Sequence, residues 1–284
     1  MKLSVIFSTY NSPRWLQKTL WGMLAQQHRN VEIVIADDGS TAETRQLIES
    51  MRPEFNSAGI SLKHIWQSDK GFRKCRILNK AILHASNDYL VFTDGDCICR
   101  KDFLQVHAAR AEAGYWLSGS YYKLPMAASE RVTRDDIESG RCFERRWLRR
   151  QGLPVSASHL KLNRQPQLAK FLNRITPTSC NLKGSNASAW RADVIRVGGF
   201  DERMQWGGLD RELGVRLNNA GIRPRHVRYD AICVHLDHPR GYRKPELVAA
   251  NRALRLNVEQ AKITHTAHGI SALIDEGYVA EQSP

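Results

Sequence analysis

Strand-like and helix-like segments alternate through the first hundred residues, and this pattern constrains the fold more than any other feature of the sequence. The strand-like apolar runs occupy residues 3–8, 31–36, 60–66 and 89–93. Between the first two runs, Ser12-Pro13 is typical of a helix start, with Ser12 as the N-cap. Leu16, Leu20 and Met23 then recur at helical spacing. The alternation predicts βαβ units, and therefore an α/β fold with a mostly parallel sheet.

Polar clusters follow three of these strands, at the point where each strand ends. They are Thr9-Tyr10-Asn11, Asp37-Asp38-Gly39-Ser40 and Asp94-Gly95-Asp96. Each cluster alone is an ordinary turn or cap. The carboxyl ends of parallel strands share one edge of a sheet, however, so the three clusters are expected to converge on one ligand. Because Mg²⁺ and Mn²⁺ favour oxygen ligands, Asp94 and Asp96 together predict a site for a divalent cation and a nucleotide diphosphate.

The composition fits a globular protein of 284 residues, of which 42% are hydrophobic. No apolar run approaches the roughly 20 residues that span a bilayer. The N-terminus reads as a first strand and not as a signal peptide, which predicts a cytoplasmic location. The six cysteines form no C-x-x-C pair and no zinc spacing, so free thiols are expected.

The chain is basic, with 42 Lys and Arg against 29 Asp and Glu and a net charge of +13. Such a charge favours polyanionic partners. Residues 141–150 contain five arginines, and a helix would bring Arg145, Arg146, Arg149 and Arg150 to neighbouring positions. Trp147 and Leu148 offer apolar contact within the same segment. A phosphorylated acceptor, an anionic membrane and a plain solvated helix face all remain open here.

The strand-end clusters resemble the N-terminal motifs of a family 2 glycosyltransferase of the GT-A fold. The resemblance covers roughly residues 1 to 240. In the second half, three segments occur in the family's usual order and resemble the acceptor half of chondroitin-polymerase-like and β-galactosyltransferase-like enzymes. These segments are Gly184-Ser185-Asn186, Gly198-Gly199-Phe200-Asp201-Glu202 and Trp206-Gly207-Gly208-Leu209-Asp210. The resemblance implies a Rossmann-like, mostly parallel central sheet flanked by helices, with a C-terminal helical tail.

The resemblance also implies roles for individual residues on the donor side. The implied nucleotide contacts are Thr9, Tyr10, Asn11, Asp38, Gly71, Arg76 and Asp94. Among them, Asp38 would hydrogen-bond the uracil, and Asp94 would face the ribose and the metal. Asp96 would ligate the metal. A histidine after the apolar run 231–234 would be a further ligand, with His235 as first choice and His238 as second; the alternative is a polar residue satisfied within the fold.

On the acceptor side, Asp210 matches the aspartate of the family's Glu-Asp pair, which is the expected general base. Leu209 stands where the family usually has Glu, so the acceptor contact of that Glu is in doubt. Without the resemblance, Asp210 would be read as a first-turn aspartate stabilised by the helix dipole. The implied acceptor contacts are Trp206, Gly207, Gly208 and Asn186. Trp206 is almost equally well explained as a core residue beside a flexible turn.

Together these features predict an inverting, metal-dependent transferase that moves a sugar from a UDP-sugar to a hydroxyl of a glycan or glycolipid. The cation, Mn²⁺ or Mg²⁺, would neutralise the leaving diphosphate while Asp210 takes the hydroxyl proton. By analogy with the family, the setting would be bacterial lipopolysaccharide or surface polysaccharide synthesis, in the cytoplasm or at the inner face of the membrane. The alternatives are a nucleic-acid-binding protein, which lacks a recognisable motif here, and a nucleotidyltransferase.

The expected organisation has three parts. Residues 1–100 form the nucleotide-sugar-binding half, residues 101–243 the acceptor-binding and catalytic half, and residues 244–284 a C-terminal helical extension. A helical pattern over residues 245–263 supports the last of these.

Overall fold

The computed structural model describes residues 1–154, 156–163, 165–239 and 244–279. The expected boundary at residue 243 therefore lies outside the described residues. The strands, in chain order, are β1 (Leu3–Thr9), β2 (Val31–Asp37), β3 (Ser61–Trp66), β4 (Tyr89–Asp94), β5 (Cys97–Cys99), β6 (Tyr115–Ser118), β7 (Ser120–Lys123), β8 (Ala187–Trp190), β9 (Arg223–His226) and β10 (Ile232–His235).

The central sheet has seven strands in the order β3-β2-β1-β4-β8-β6-β9. The first four are parallel to one another, and β6 and β9 are also parallel. Only β8 is antiparallel to its neighbours, β4 and β6. The prediction of an α/β fold with a mostly parallel sheet is confirmed.

Helices cover the sheet and continue beyond it. In the described residues they are α1 (Pro13–Leu24), α2 (Ala42–Ser57), α3 (Lys74–His84), α4 (Phe103–Arg110), α5 (Met126–Arg131), α6 (Arg134–Glu138), α7 (Arg145–Arg150), α8 (Pro166–Ile175), α9 (Arg191–Arg196), α10 (Leu209–Asn219), α11 (Pro245–Gln260) and α12 (Ile270–Asp275). Short 3₁₀ helices span Arg141–Phe143 and Ala157–Leu162. The expected start of α1 is correct, but the Ser12 hydroxyl donates to the Tyr10 carbonyl and makes no capping bond.

Apolar side chains fill both faces of the central sheet. Along β1, Val5 and Phe7 belong to one buried cluster and Ile6 to another, because successive side chains of a strand point to opposite faces. A strand that is covered on both sides reads as a continuous apolar run, which explains the sequence of residues 3–7.

A second sheet holds three strands in the order β5-β10-β7. The expected late strand, β10, is present, and it pairs antiparallel with β5 so that His235 lies opposite Cys97. The backbone N–H of Leu236 donates to the carbonyl of Asp96 at 2.9 Å. This small sheet therefore carries the histidine segment to the end of β4.

The arginine-rich helix α7 differs from expectation in its apolar residues. Leu148 is fully buried and Trp147 is 7% exposed, and both belong to a third apolar cluster. The four arginines of this helix, Arg145, Arg146, Arg149 and Arg150, are exposed. The expectation that Trp147 and Leu148 offer apolar contact is therefore wrong, because both are used in the core.

The C-terminal helix α11 packs on α10. The Asn251 side chain of α11 donates to the carbonyls of Gln205, Trp206 and Gly207. Among the described residues, no helix combines the length and the apolar character needed to cross a bilayer. All six cysteines are free thiols, as expected.

Candidate active site

The three polar clusters meet at one edge of the central sheet. Ser8 is in register with Asp94, and Thr9 with Asp37. The N–H of Asp38 donates to the Thr9 carbonyl at 3.0 Å. The N–H of Asn11 donates to the Ser40 hydroxyl at 2.9 Å. The clusters lie at one edge because parallel strands bring their carboxyl ends together, and their convergence on one ligand stays a prediction.

A loop after β3 packs against this edge and binds Asp38. One carboxylate oxygen of Asp38 accepts from Gln67 Nε2 at 2.7 Å, and the other accepts from the Arg73 N–H at 2.8 Å. Burial raises the pKa of Asp38 in spite of these bonds. Gly39 lets the loop approach closely, since a Cβ there would lie 2.6 Å from the Asp69 backbone. Asp38 is thus a rigidly held acceptor.

Tyr10 and Gly71 meet at the outer side of the same loop. The Tyr10 hydroxyl donates to Asp69 Oδ2 at 2.8 Å, and the Gly71 N–H donates to Asp69 Oδ1 at 2.9 Å. Half of the Tyr10 surface is exposed, and Asn11 beside it is also exposed. Tyr10, Asn11 and Gly71 therefore lie at the exposed side of this loop, whereas Asp38 is buried behind it.

Lys74, at the first position of α3, is a site residue that the sequence did not single out. Its Nζ lies 2.8 Å from Asp94 Oδ1. Burial opposes the positive charge, but the carboxylates of Asp94, Asp96 and Asp210 outweigh it and raise the pKa of Lys74. Carboxylates from both halves of the chain therefore act on one ammonium group.

Arg76 does not reach these carboxylates. Its guanidinium binds Glu202 at 3.0 Å and also pairs with Glu276 near the C-terminus. Residues 74 and 76 lie about 200° apart around a helix, so they point to different sides of α3. Lys74, and not Arg76, is the basic residue of α3 in contact with the strand-end carboxylates.

Two histidines converge on Asp96. His238 Nε2 lies 3.1 Å from Asp96 Oδ2, and His235 Nε2 lies 3.6 Å from the same oxygen. Burial alone would raise the pKa of Asp96, but the His238 hydrogen bond and the nearby imidazoles and Lys74 hold it below its ordinary value. Asp96 is thus kept as an anion.

This donor set fits a divalent cation. Two ligands about 2.1 Å from an octahedral ion lie roughly 3 Å apart when they bind at right angles, and each imidazole nitrogen lies 3.1 or 3.6 Å from the Asp96 oxygen. Ligand atoms of Asp96, Cys97 and His235 also lie within 4.8 Å of one another. Burial raises the pKa of the Cys97 thiol well above its usual range, so it stays protonated and is a poor ligand. Carboxylate oxygens and imidazole nitrogens are both common protein ligands of divalent cations.

Asp210 lies in the first turn of α10, after two glycines in the left-handed conformation, Gly207 and Gly208. Its Oδ2 accepts from the Gly184 N–H at 3.0 Å, and its Oδ1 accepts from the Arg211 N–H at 2.9 Å. Burial raises the pKa of Asp210 although both bonds oppose this. A positioned carboxylate with a raised pKa is suited to accept a proton.

The neighbours of Asp210 in α10 have structural roles. Leu209 is 8% exposed and packs in the core cluster. Glu212 is fully buried and forms a 2.6 Å ion pair with Arg216. Within the first turn of α10, Asp210 is therefore the carboxylate that remains for chemistry.

Asn186 is fully buried, which contradicts its expected role as an acceptor contact. Its Nδ2 donates to the carbonyls of Ser120 at 2.7 Å and Ala231 at 2.9 Å, and its Oδ1 lies 3.2 Å from His107 Nε2. Asn186 therefore joins the two sheets. Trp206, in contrast, is half-buried, in the loop whose carbonyls α11 holds.

Residues 4–171 match the family model described as glycosyl transferase family 2. A validoxylamine A glucosyltransferase of Streptomyces hygroscopicus subsp. jinggangensis is 30% identical over 255 residues, which cover 84% of this chain and 56% of the relative. The uncharacterized glycosyltransferase YfnE of Bacillus subtilis is 26% identical, with 89% of this chain and 69% of the relative covered. The chain thus spans little more than half the length of the first of these relatives.

Two solved structures share the fold. Staphylococcus aureus TarS 1-349 in complex with UDP-GlcNAc gives a TM-score of 0.62 at 20% identity, covering 92% of this chain and 69% of that one. The mannosyltransferase PcManGT of Pyrobaculum calidifontis, in complex with GDP-Man and Mn²⁺, gives 0.58 at 18% identity, with coverages of 98% and 76%. These likenesses establish the fold of the chain.

Proposed function

Since the chain belongs to glycosyl transferase family 2, we propose that it transfers a sugar from a UDP-sugar to a hydroxyl of a glycan or glycolipid acceptor, with inversion at the anomeric carbon. The observation that carries this proposal is the geometry at the end of β4, where Asp94 pairs with Lys74 at 2.8 Å and Asp96 lies 3.1 Å from His238 Nε2. The family match favours sugar transfer over nucleic-acid binding and nucleotidyl transfer, the two alternatives left open by the sequence.

Asp210 is the general base of the proposed reaction. The acceptor oxygen forms its bond to the anomeric carbon as the bond from that carbon to the diphosphate oxygen breaks, and the hydroxyl proton passes to Asp210. The N–H groups of Gly184 and Arg211 fix the carboxylate, and its raised pKa strengthens it as a base. Direct displacement requires no covalent enzyme intermediate.

Asp96, His235 and His238 would hold the cation, Mn²⁺ or Mg²⁺. A divalent ion bound there supplies positive charge to the leaving diphosphate. Lys74 adds a second positive charge beside Asp94, and its salt bridge holds the Asp94 carboxylate at the strand end.

The donor nucleotide would lie over the ends of β1 and β2. Thr9, Tyr10 and Asn11 would line the base and ribose, with the exposed Tyr10 ring as an apolar surface. Asp38 would accept a hydrogen bond from the uracil, and Gly71 would allow close backbone approach because its added Cβ would meet no neighbour. Trp206, Gly207 and Gly208 would form the acceptor loop next to Asp210. The acceptor would belong to bacterial lipopolysaccharide or another surface polysaccharide, built in the cytoplasm.

Thermal stabilisation tests this proposal, because a ligand that binds only the folded state raises its apparent stability. The protein would be melted with UDP, GDP, UDP-sugars and GDP-sugars, each with Mn²⁺, with Mg²⁺ and with EDTA. The proposal expects UDP and one UDP-sugar to raise Tm more in Mn²⁺ or Mg²⁺ than in EDTA. Equal stabilisation by GDP, or by UDP in EDTA, would contradict the assignment of donor or metal.

A further inference from the structure

Helix α8 presents an apolar stripe to solvent. Leu168, Phe171 and Ile175 are 36%, 57% and 52% exposed. They are three and four residues apart, so they share one face of the helix. Isolated exposed apolar residues are common, but an aligned set on one helix marks an interaction surface.

The opposite face of α8 fixes the direction of this stripe. Ala169 is buried, and Asn173 Nδ2 donates to Asp230 Oδ2 at 3.0 Å. The Tyr229 N–H donates to Asn173 Oδ1 at 3.2 Å. Because the anchored side of the helix is held in this way, the stripe faces away from the protein.

The charge of α8 is entirely positive. Lys170 and Arg174 are exposed, lie one turn apart on the same helix and form no ion pair with the described residues. The helix contains no acidic residue. An apolar stripe with cations along one of its sides fits a helix that lies in the interface of an anionic bilayer.

We propose that α8 is a membrane-docking helix, whose apolar stripe enters the interfacial region of an anionic bilayer while Lys170 and Arg174 contact the lipid headgroups. The net charge of +13 complements such a surface. This stripe supplies the apolar contact that α7 lacks, since Trp147 and Leu148 are buried.

The position of α8 relates the docking surface to the candidate base. The chain that leaves α8 leads to Gly184, whose N–H holds Asp210. A glycolipid hydroxyl presented at the same membrane would be the acceptor for a docked enzyme. This consequence rests on the proposed function, whereas the docking itself does not.

Vesicle co-sedimentation of the full chain tests the docking. The vesicles would contain phosphatidylcholine alone or phosphatidylcholine with phosphatidylglycerol. The variant L168S/F171S/I175S removes the stripe, and I274S is a matched control because Ile274 is 56% exposed on a different helix, α12. The parent and the control are expected to bind anionic vesicles. The triple variant is expected to bind them at least about tenfold more weakly. Cooperative thermal unfolding near the Tm of the parent would show that the variants fold; F171S alone replaces the triple variant if that one does not.

Two further measurements distinguish membrane binding from self-association through the stripe. K170Q/R174Q is expected to bind more weakly and with a smaller response to salt than the parent, because the apolar contact and the other basic residues remain. Light scattering of parent and triple variant reports on a second copy as the partner. Failure of the parent to bind anionic vesicles, equal binding by the triple variant, or a dimer that only the parent forms would each overturn the proposal. Vesicle binding without any UDP effect would leave the docking in place and contradict the proposed function.

Discussion

Lys74 Nζ lies 2.8 Å from Asp94 Oδ1, which joins the first turn of α3 to the end of β4. The same ammonium group is influenced by Asp96 and by Asp210, which follows in the second half of the chain. In the proposed reaction these carboxylates have different tasks, namely binding of the donor, binding of the cation and removal of a proton. Lys74 offsets part of their negative charge.

Replacing Lys74 should therefore damage the site without unfolding the protein. Lys74→Met leaves Asp94 unpaired, and we expect kcat/KM to fall by about 10² with weaker UDP binding. Lys74→Arg should retain part of the activity because it keeps the charge. Lys101→Met, at an exposed lysine, is the control. Steady-state kinetics that show Lys74→Met equal to the control would remove Lys74 from the site.

The dependence of activity and UDP binding on Mn²⁺ should be lost when Asp96 or the histidines are replaced. Asp96→Ala is expected to abolish activity and the Mn²⁺-dependent part of UDP binding. His238→Ala should resemble it more closely than His235→Ala, since His238 lies nearer to Asp96. His28→Ala, which removes a contact with the Met1 carbonyl, is the control. Mn²⁺ titration of UDP binding measures these effects, and turnover by Asp96→Ala in EDTA at the parent's rate would rule out the metal site.

The pH profile should reveal the environment of Asp210. A general base acts in its deprotonated form, so kcat falls as pH decreases through its pKa. Burial raises the pKa of Asp210, so the acidic limb should lie above the value of about 3.9 of an exposed aspartate. The dependence of kcat on pH measures the limb directly. If kcat falls with a pKa at or below about 3.9, the base is not a carboxylate whose pKa is raised by burial, and Asp210 is not the base.

The arginines of α7 should contribute only through charge. The four arginines Arg145, Arg146, Arg149 and Arg150 are exposed, whereas the apolar residues between them are buried. Replacing all four with Gln should weaken binding to anionic vesicles by orders of magnitude at low salt, at about 1 kcal/mol per charge. The effect should shrink as salt rises. Equal sedimentation of this variant and the parent at low salt would identify α7 as a solvated face.

The sequence was sufficient to predict the strand-end cluster because its signals are local. Apolar runs, turn residues and parallel alternation together place Asp37, Asp94 and Thr9 at one edge. In contrast, nothing local distinguishes Lys74 from Arg76. The choice depends on which side of α3 faces the sheet, and this is determined by tertiary packing. The carboxylates Glu202 and Glu276, which bind Arg76, come from distant parts of the chain.

Contacts with distant segments of the chain explain the other differences between the sequence predictions and the structure. Asn186 lies in the polar segment Gly184-Ser185-Asn186, which is typical of a loop, but its amide connects the two sheets. Trp147 and Leu148 lie among arginines in the sequence, yet their side chains are on the buried face of α7 and pack in the third apolar cluster. The late strand β10 was expected, but its pairing with the three-residue strand β5 was not. That pairing brings His235 to Asp96.

The assignment of Asp210 as the base is tested most directly by Asp210→Asn, which keeps the shape of the side chain and removes the proton acceptor. UDP release from the stabilising UDP-sugar and UDP affinity would be measured together, with Asp193→Asn in α9 as a control. We expect kcat to fall by about 10² or more while UDP affinity barely changes. Loss of UDP binding in parallel with activity, or unchanged kcat, would contradict the account.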